Sequence, residues 1–283
     1  MDRPVMVGVD GSVTSIAAVE YAAALATRRT APLLLVHGYV HPLGYGALGV
    51  SPYTPALPDP RADGANMLVR VAAEVARLYP CLDIATEQVA AGGAAALIER
   101  SCGADAVVVG HRGLSGSAEL VVGSVGSQVA ARASGPVLIV RPIASGRADS
   151  PVVVGVDGSA GGIPALEFAF EEAAQRALPL LAVHVTDERV LPAWLAEALL
   201  DTAVAPWTAK YPRVDVRRQV RPATVADQAM VDMSGHASLV VVGSRGRGGF
   251  TGLLLGSVSQ ALVHKARCPV AVVHPRITEP AAR

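Results

Sequence analysis

The sequence predicts an α/β protein of two tandem domains, each a five-stranded parallel-type sheet with helices on both faces. Three observations carry this: a set of motifs occurs twice, short β-branched runs alternate with amphipathic stretches, and several of those runs are purely apolar. VGVDGS at Val7–Ser12 returns at Val154–Ser159, and Val36-His37 returns as Val183-His184, both at an offset of 147. VVVGHRG at Val107–Gly113 matches VVVGSRG at Val240–Gly246, and Gly135-Pro136-Val137 matches Cys268-Pro269-Val270, both at an offset of 133. Such self-similarity marks a duplicated unit. Strands that alternate with helices form βαβ units around a parallel sheet. Runs without a polar face, such as VVV and LLLV, suit a sheet buried on both sides.

In the first repeat, Val5–Asp10 reads as a strand and Thr14–Arg29 as a helix with Ala17, Ala18, Tyr21, Ala22 and Leu25 on one face. Leu33–His37 is a strand, Ala65–Leu78 a helix, Asp83–Val89 a strand, Ala94–Cys102 a helix and Ala106–Gly110 a strand. A glycine loop follows, then a helix over Ser124–Ala133 and a last strand over Val137–Val140. The two offsets differ by fourteen residues, which fall within His41–Pro60. Five prolines and three glycines in that stretch exclude a regular helix or central strand, so a long loop is expected. Its counterpart in the second repeat, LPAWLAEALLDTA, reads as helical. Ala144–Ser150 is small and polar and serves as the linker between domains at residues 1–143 and 151–283. The closing strands Val137–Val140 and Val270–Val273 would be apolar edges if each domain stood alone, and apolar edges demand cover.

Composition narrows the class. Hydrophobic residues make up 51% and charged ones 17%, which fits a chain with large buried cores and not a disordered one. Lys plus Arg and Asp plus Glu both number 24, so no net charge draws nucleic acid or an anionic membrane, and neither is expected as a partner. Cys81, Cys102 and Cys268 are odd in number and far apart, which argues against a disulfide framework or zinc site and fits a reducing cytosol. The amino terminus lacks the apolar core of a signal peptide, and no apolar run approaches a bilayer span of ~18 residues. A soluble, cytoplasmic protein is expected.

The chemistry centres on Gly243–Ser257, GSRGRGGFTGLLLGS, which follows an apolar run and leads into a stretch with helical periodicity. A strand, glycine loop and helix in that order present backbone N–H groups and the positive end of a helix dipole to an anion such as phosphate. Ser257 is placed to cap the helix or to donate its hydroxyl to a phosphate oxygen. The glycines also suit a plain strand-to-helix turn. In doubly wound sheets, ligands settle outside the carboxyl ends of the strands at the switch point. Asp10 or Asp157, the residue after His37 or His184, and the glycine loop all end there. The aspartate would bind a ribose hydroxyl or a cation, the second strand end a base, and the loop phosphates. Asp-Gly-Ser is also ordinary turn chemistry; its occurrence twice, each time with a glycine loop downstream, favours a ligand role.

On these motifs the chain resembles a tandem universal stress protein of the nucleotide-binding kind. That family's loop signature is glycine, two residues, glycine, nine residues, glycine, then serine or threonine. It is met by Gly110, Gly113, Gly123 and Ser124, and again by Gly243, Gly246, Gly256 and Ser257. The resemblance implies Rossmann-like domains of the adenine-nucleotide α-hydrolase type, with the last strands pairing the two domains as an internal pseudo-dimer. Homodimerisation of whole chains is left open. It further implies that Asp10 and Asp157 contact ATP near the adenosine, and that the backbone at Gly38 and Val185 meets adenine. The loop residues, with Val258 and Ser259 beside them, would hold ribose and phosphates, with Mg2+ or Mn2+ among the phosphates.

The loops differ between repeats. Glu119 stands where the second repeat has Gly252, and Gly126 where it has Ser259. A carboxylate near a triphosphate repels it, and a missing hydroxyl forgoes a hydrogen bond of about 0.5–1.5 kcal/mol. Two sites are expected, the second the tighter. There is no Gly-Lys pair for a Walker A loop, no G-x-S-x-G elbow and no spaced Cys/His cluster. His37 and His41 are four apart, but Gly38 and Pro42 disfavour a shared helical face and hence a metal site. His111, Arg112, Arg245 and Arg247 border the loops. Without a positioned general base, ATP turnover is expected to be slow at most. The reading is a cytosolic, ATP-binding stress-response sensor or regulator with an unidentified protein partner. Its rivals are a slow ATP-hydrolysing or adenylating enzyme and a scaffold that binds no nucleotide.

Overall fold

The computed structural model describes residues 3–40, 60–113, 123–141, 149–187, 189–246 and 254–275. The first half runs β1 (Val5–Gly8), α1 (Val13–Arg29), β2 (Leu33–Gly38), α2 (Pro60–Leu78), β3 (Ile84–Val89), α3 (Gly93–Arg100), β4 (Ala106–Gly110), α4 (Ser124–Arg132) and β5 (Pro136–Val140). The second runs β6 (Val152–Gly155), α5 (Ile163–Arg176), β7 (Leu180–Thr186), α6 (Ala193–Lys210), β8 (Val216–Pro222), α7 (Ala226–Met233), β9 (Leu239–Gly243), α8 (Ser257–Lys265) and β10 (Val270–Val273). Among the described residues no helix is long and apolar enough to cross a membrane.

The strands form one ten-stranded sheet in the order β3-β2-β1-β4-β5-β10-β9-β6-β7-β8. Every pairing is parallel except the central one, where β5 and β10 run antiparallel with Ile139 opposite Val270 and Pro136 opposite Val273. The two expected five-stranded sheets are thus continuous, each closing strand covering the other's edge. Val137, Leu138, Ile139, Val270, Ala271 and Val272 are fully buried there.

Alternation along the strands feeds two core layers. Val5 and Val7 face α1 and α2, and Val152 and Val154 face α5 and α6, in one cluster that crosses the seam. Met6 and Val107 on the other face pack with α3 and α4, and Val153 and Val240 with α7 and α8. Because the halves meet antiparallel, their strands point in opposite directions, so their carboxyl ends open at opposite margins of the sheet. In each half the order reverses between the first and fourth strands, β1 beside β4 and β6 beside β9, which makes a crevice there.

Several boundaries moved. Val5–Asp10 pairs only to Gly8, after which the chain leaves the sheet towards α1. α2 starts at Pro60, five residues earlier than the periodicity suggests, with the missing proline N–H at a position that needs no acceptor. α6 continues past the apolar stretch to Lys210 with Pro206 inside it. Residues 41–59, nearly all of the Pro/Gly-rich insertion, and most of the linker lie outside the described residues.

Candidate functional site

Each crevice is built from three strand ends. At the first, β1 runs into Asp10-Gly11-Ser12, where Asp10 Oδ1 accepts the Ser12 N–H at 3.0 Å and Gly11 takes φ 80°. In the second half, Asp157 Oδ1 accepts from Ser159 N at 2.9 Å and from Ser159 Oγ at 2.8 Å, with Gly158 at φ 75°. The positive φ needs glycine. The turn role of these aspartates is therefore real, but it engages one carboxylate oxygen. The other faces the glycine loop: a Cβ on Gly113 would stand 2.7 Å from Asp10 Oδ2, and one on Gly246 would stand 2.8 Å from Asp157 Oδ2. The aspartate is both the brace of its turn and a wall of the cavity.

The glycine loops have matching stems. Gly110 and Gly243 end β4 and β9 close to the carbonyls of Thr14 and Gly161. The N–H of Gly123 donates to the His111 carbonyl, and that of Gly256 to the Ser244 carbonyl, each at 2.8 Å. Thr14 Oγ1 donates to the Arg112 carbonyl, which ties α1 to the first loop. Ser124 and Ser257 are the first residues of α4 and α8, and the capping positions are Gly123 and Gly256, with no side-chain cap. Ser257 is thus not the cap proposed from sequence. Its place inside the helix leaves the first-turn N–H groups of α8 without a side-chain acceptor, beside the cavity, as an anion would require.

Ser259 lies one turn inside α8 and is 2% exposed. Its hydroxyl donates towards the Ser244 and Gly256 carbonyls, at 3.1 and 2.9 Å. The hydrogen bond that Gly126 forgoes is therefore one within the loop stem. Glu119 and Gly252, the other contrast between the loops, lie outside the described residues, as does Arg247.

At the second strand ends, Gly38 and Val185 line the cavities, but their settings differ. A Cβ on Gly38 would meet the Ala91 carbonyl and Gly93 Cα at 2.7 Å, so the start of α3 presses on the end of β2. Val185 carries its side chain at the equivalent place. The first cavity measures about 210 Å³ and the second about 440 Å³. Gly110, Gly113, Gly123, Ser124 and Asp10 line the first; Gly243, Gly246, Gly256, Ser257, Val258, Ser259 and Asp157 line the second. Arg112 and Arg245 join them. A further cavity of about 900 Å³ between α5 and α6 is lined largely by apolar side chains, among them Ile163, Leu166, Leu195 and Trp207, and offers an anion little.

Sequence reasoning missed two histidines. His37 Nδ1 donates to the Val9 carbonyl at 2.7 Å, and His184 Nδ1 to the Val156 carbonyl at 2.6 Å. Each ties the second strand end to the residue before the aspartate. The signal was present, since Val-His is among the repeated pairs, but nothing in a sequence says which carbonyl a ring will reach. His111 sits at the first loop's stem with its Nδ1 buried and unbonded, and burial, with Arg141 and Arg112 nearby, holds its pKa low.

A model of the universal stress protein family matches residues 1–141 and 150–274. The chain is 36% identical over 290 residues to a universal stress protein of Mycolicibacterium smegmatis, covering 96% of this chain and 97% of that one. It is 37% identical over 288 residues to one of Mycobacterium tuberculosis, covering 95% and 96%. Among solved structures, a universal stress protein from Archaeoglobus fulgidus superposes with a TM-score of 0.70 over 98% of this chain and 99% of that one, at 18% identity, a likeness of fold.

Proposed function

From the premise that this chain belongs to the universal stress protein family, we propose that it binds ATP in both crevices and acts in the cytosol as a nucleotide-dependent stress regulator. The observation that carries the reading is the doubled juxtaposition of an Asp-Gly-Ser turn with an uncapped helix N-terminus across a cavity. Phosphates would lie against the first-turn N–H groups of α4 and α8, beside Arg112 and Arg245. Ribose would lie by Asp10 or Asp157, and adenine by the backbone at Gly38 or Val185. The two domains, 1–143 and 151–283 joined through 144–150, would each supply one such site.

Fit to the nucleotide differs between the sites. Small-molecule sites occupy about 300–1,000 Å³, a range that contains the second cavity at about 440 Å³ and excludes the first at about 210 Å³. The second is the tighter site in this reading. Among the described residues no three His, Cys, Asp or Glu side chains gather as a metal cage. Mg2+ or Mn2+ would therefore be held mainly by the phosphates, neutralising charge that the arginines and helix dipoles meet only in part.

Regulation is favoured over turnover by the state of the nearby titratable groups. His37 and His184 spend Nδ1 on backbone carbonyls, and each aspartate spends one oxygen on its turn. Donation from Nδ1 leaves Nε2 of each imidazole as the acceptor nitrogen, but both rings stand at the second strand ends, where adenine and not phosphate would lie in this reading. Nucleotide released from the purified, denatured protein should be ATP. AMP and pyrophosphate formed at enzymatic rates would favour an adenylating enzyme, and absence of nucleotide binding a scaffold. Gly246→Glu should lower ATP affinity more than Gly113→Glu; equal losses would refute the ranking of the sites.

A further inference from the structure

Arg141 and His274 stand at equivalent places, each directly after the closing strand of its half, and each reaches across the antiparallel seam into the other half. The Arg141 guanidinium donates to the carbonyls of Ala266 at 3.2 Å, His264 at 3.4 Å and Val263, at the C-terminal end of α8. His274 Nε2 donates to the Ala130 carbonyl at 2.7 Å, near the C-terminal end of α4. Ala130 and Val263 are themselves equivalent positions, so the same carbonyl is grasped twice.

The strand residue before each of these side chains holds its own domain's glycine loop. The Val140 carbonyl accepts from His111 N at 3.0 Å, and the Val273 carbonyl from Ser244 N at 3.1 Å. His111 and Ser244 in turn accept the closing hydrogen bonds of Gly123 and Gly256. Val140-Arg141 therefore joins the stem of the first loop to the far end of the helix whose near end bounds the second cavity. Val273-His274 makes the reciprocal link.

The electrostatics have one sense. A cation at the C-terminus and an anion at the N-terminus of a helix both stabilise its dipole. α8 has nine residues, so these ends lie about 13 Å apart. Burial and the nearby Arg112 push the Arg141 pKa down to about 10, and it stays charged at neutral pH. Among the described residues no carboxylate is among the groups that shift Arg141, and its Nε is buried without an acceptor. A cation desolvated without a counter-ion is costly. What it has in exchange is the end of α8.

We infer that Arg141 is a positioning residue for the second anion site, and His274 its weaker, neutral counterpart for the first, so each domain sets the helix on which the other's ligand rests. This rests on the nucleotide reading only for the identity of the ligand. The test uses the full chain and two readouts. In ligand-free protein, Arg141→Met should speed hydrogen exchange along α8, including its first turn, and leave α4 unchanged; Arg141→Lys should restore part of the protection. In a Gly113→Glu background, which isolates the second site, Arg141→Met should weaken ATP binding about threefold to tenfold, within the range for a residue that acts on a site without touching its ligand. His274→Leu should act on α4 instead.

Unchanged exchange in α8, equal acceleration in α4 and α8, or undiminished ATP affinity in Arg141→Met would each overturn the inference. If the wild type binds no ATP while α8 still responds to Arg141→Met, the ligand assignment fails and the positioning role stands.

Discussion

The Ser259 hydroxyl shows how one atom separates two accounts of the site. In sequence it stands where a phosphate donor would, one turn into the helix after Gly256. In the structure its proton is directed to the Ser244 and Gly256 carbonyls, so it braces the loop that a phosphate would occupy. A buried hydroxyl of this kind contributes about 0.5–1.5 kcal/mol, and more is lost when its acceptors have no other donor. Ser259→Ala should lower the unfolding free energy by about 1 kcal/mol without nucleotide, measured by urea denaturation. A variant of unchanged stability but weaker ATP binding would return the hydroxyl to the ligand. For the aspartates the turn and ligand roles stand as alternatives in sequence, whereas in the structure Asp157 holds Ser159 with one oxygen and faces Gly246 with the other. Spacing marked the aspartates, but which oxygen serves the turn is a matter of χ angles and lies beyond a sequence.

Among elements, the strands were the most legible because a parallel sheet buried on both faces leaves runs such as Val107–Val109 with no polar choice. Helix limits were less so. α6 was read over its apolar stretch alone, and its last turns, to Lys210, are held partly by Trp207 and Tyr211 against Phe170, with ring centroids 6.4 and 5.8 Å apart. Such contacts join residues some forty positions apart, which periodicity within one helix does not register. The least legible feature was the difference between β2 and β7 at their ends. Gly38 lies against the backbone of Ala91 and Gly93, whereas Val185 fits its own side chain. Gly38→Val would drive a branched side chain into main-chain atoms, an overpacking that costs about 1–3 kcal/mol. Val185→Gly should cost less, because it opens space already bordering a cavity. Urea midpoints of the two variants give the comparison, and an equal or reversed order would mean that α3 can move off β2 freely.

At the scale of the molecule, the duplication made the paired arrangement legible and the apolar closing strands located the seam, but the charges that fix the halves against each other gave no sign. Three histidines near the seam, His111, His264 and His274, have pKa values lowered first by burial and then by neighbouring arginines or lysine. The unfolded chain therefore takes up protons first on acidification, near the ordinary 6.5. Stability should be level between about pH 7.5 and 9 and should fall as the pH drops through about 6.5, with a smaller fall in His111→Asn. A urea-denaturation series across this range reads the slope. A larger effect is expected at Glu172, which is fully buried in α5. It accepts from Arg29 at 2.9 Å, an arginine of the other half that also reaches Asp105 at 2.5 Å, and from Arg176 at 2.6 Å, which also donates to Tyr21 across the seam. Arg28 stands at 3.9 Å. The equivalent residue of the first repeat is Leu25, so the cluster breaks the internal symmetry and specifies which faces of α1 and α5 meet. Removing one partner from a buried ionic cluster costs about 3–5 kcal/mol, because the remaining charges stay desolvated. Glu172→Gln keeps the shape and deletes the charge, removing the carboxylate that Arg28 and Arg176 share while Arg29 keeps Asp105 and Glu171. It should destabilise the chain by about that amount, and hydrogen exchange should rise in α1 and α5 before it rises in β1 or β6. A loss below about 1 kcal/mol, the level of an exposed ion pair, would mean that water reaches the cluster and that the β5–β10 seam alone holds the halves together.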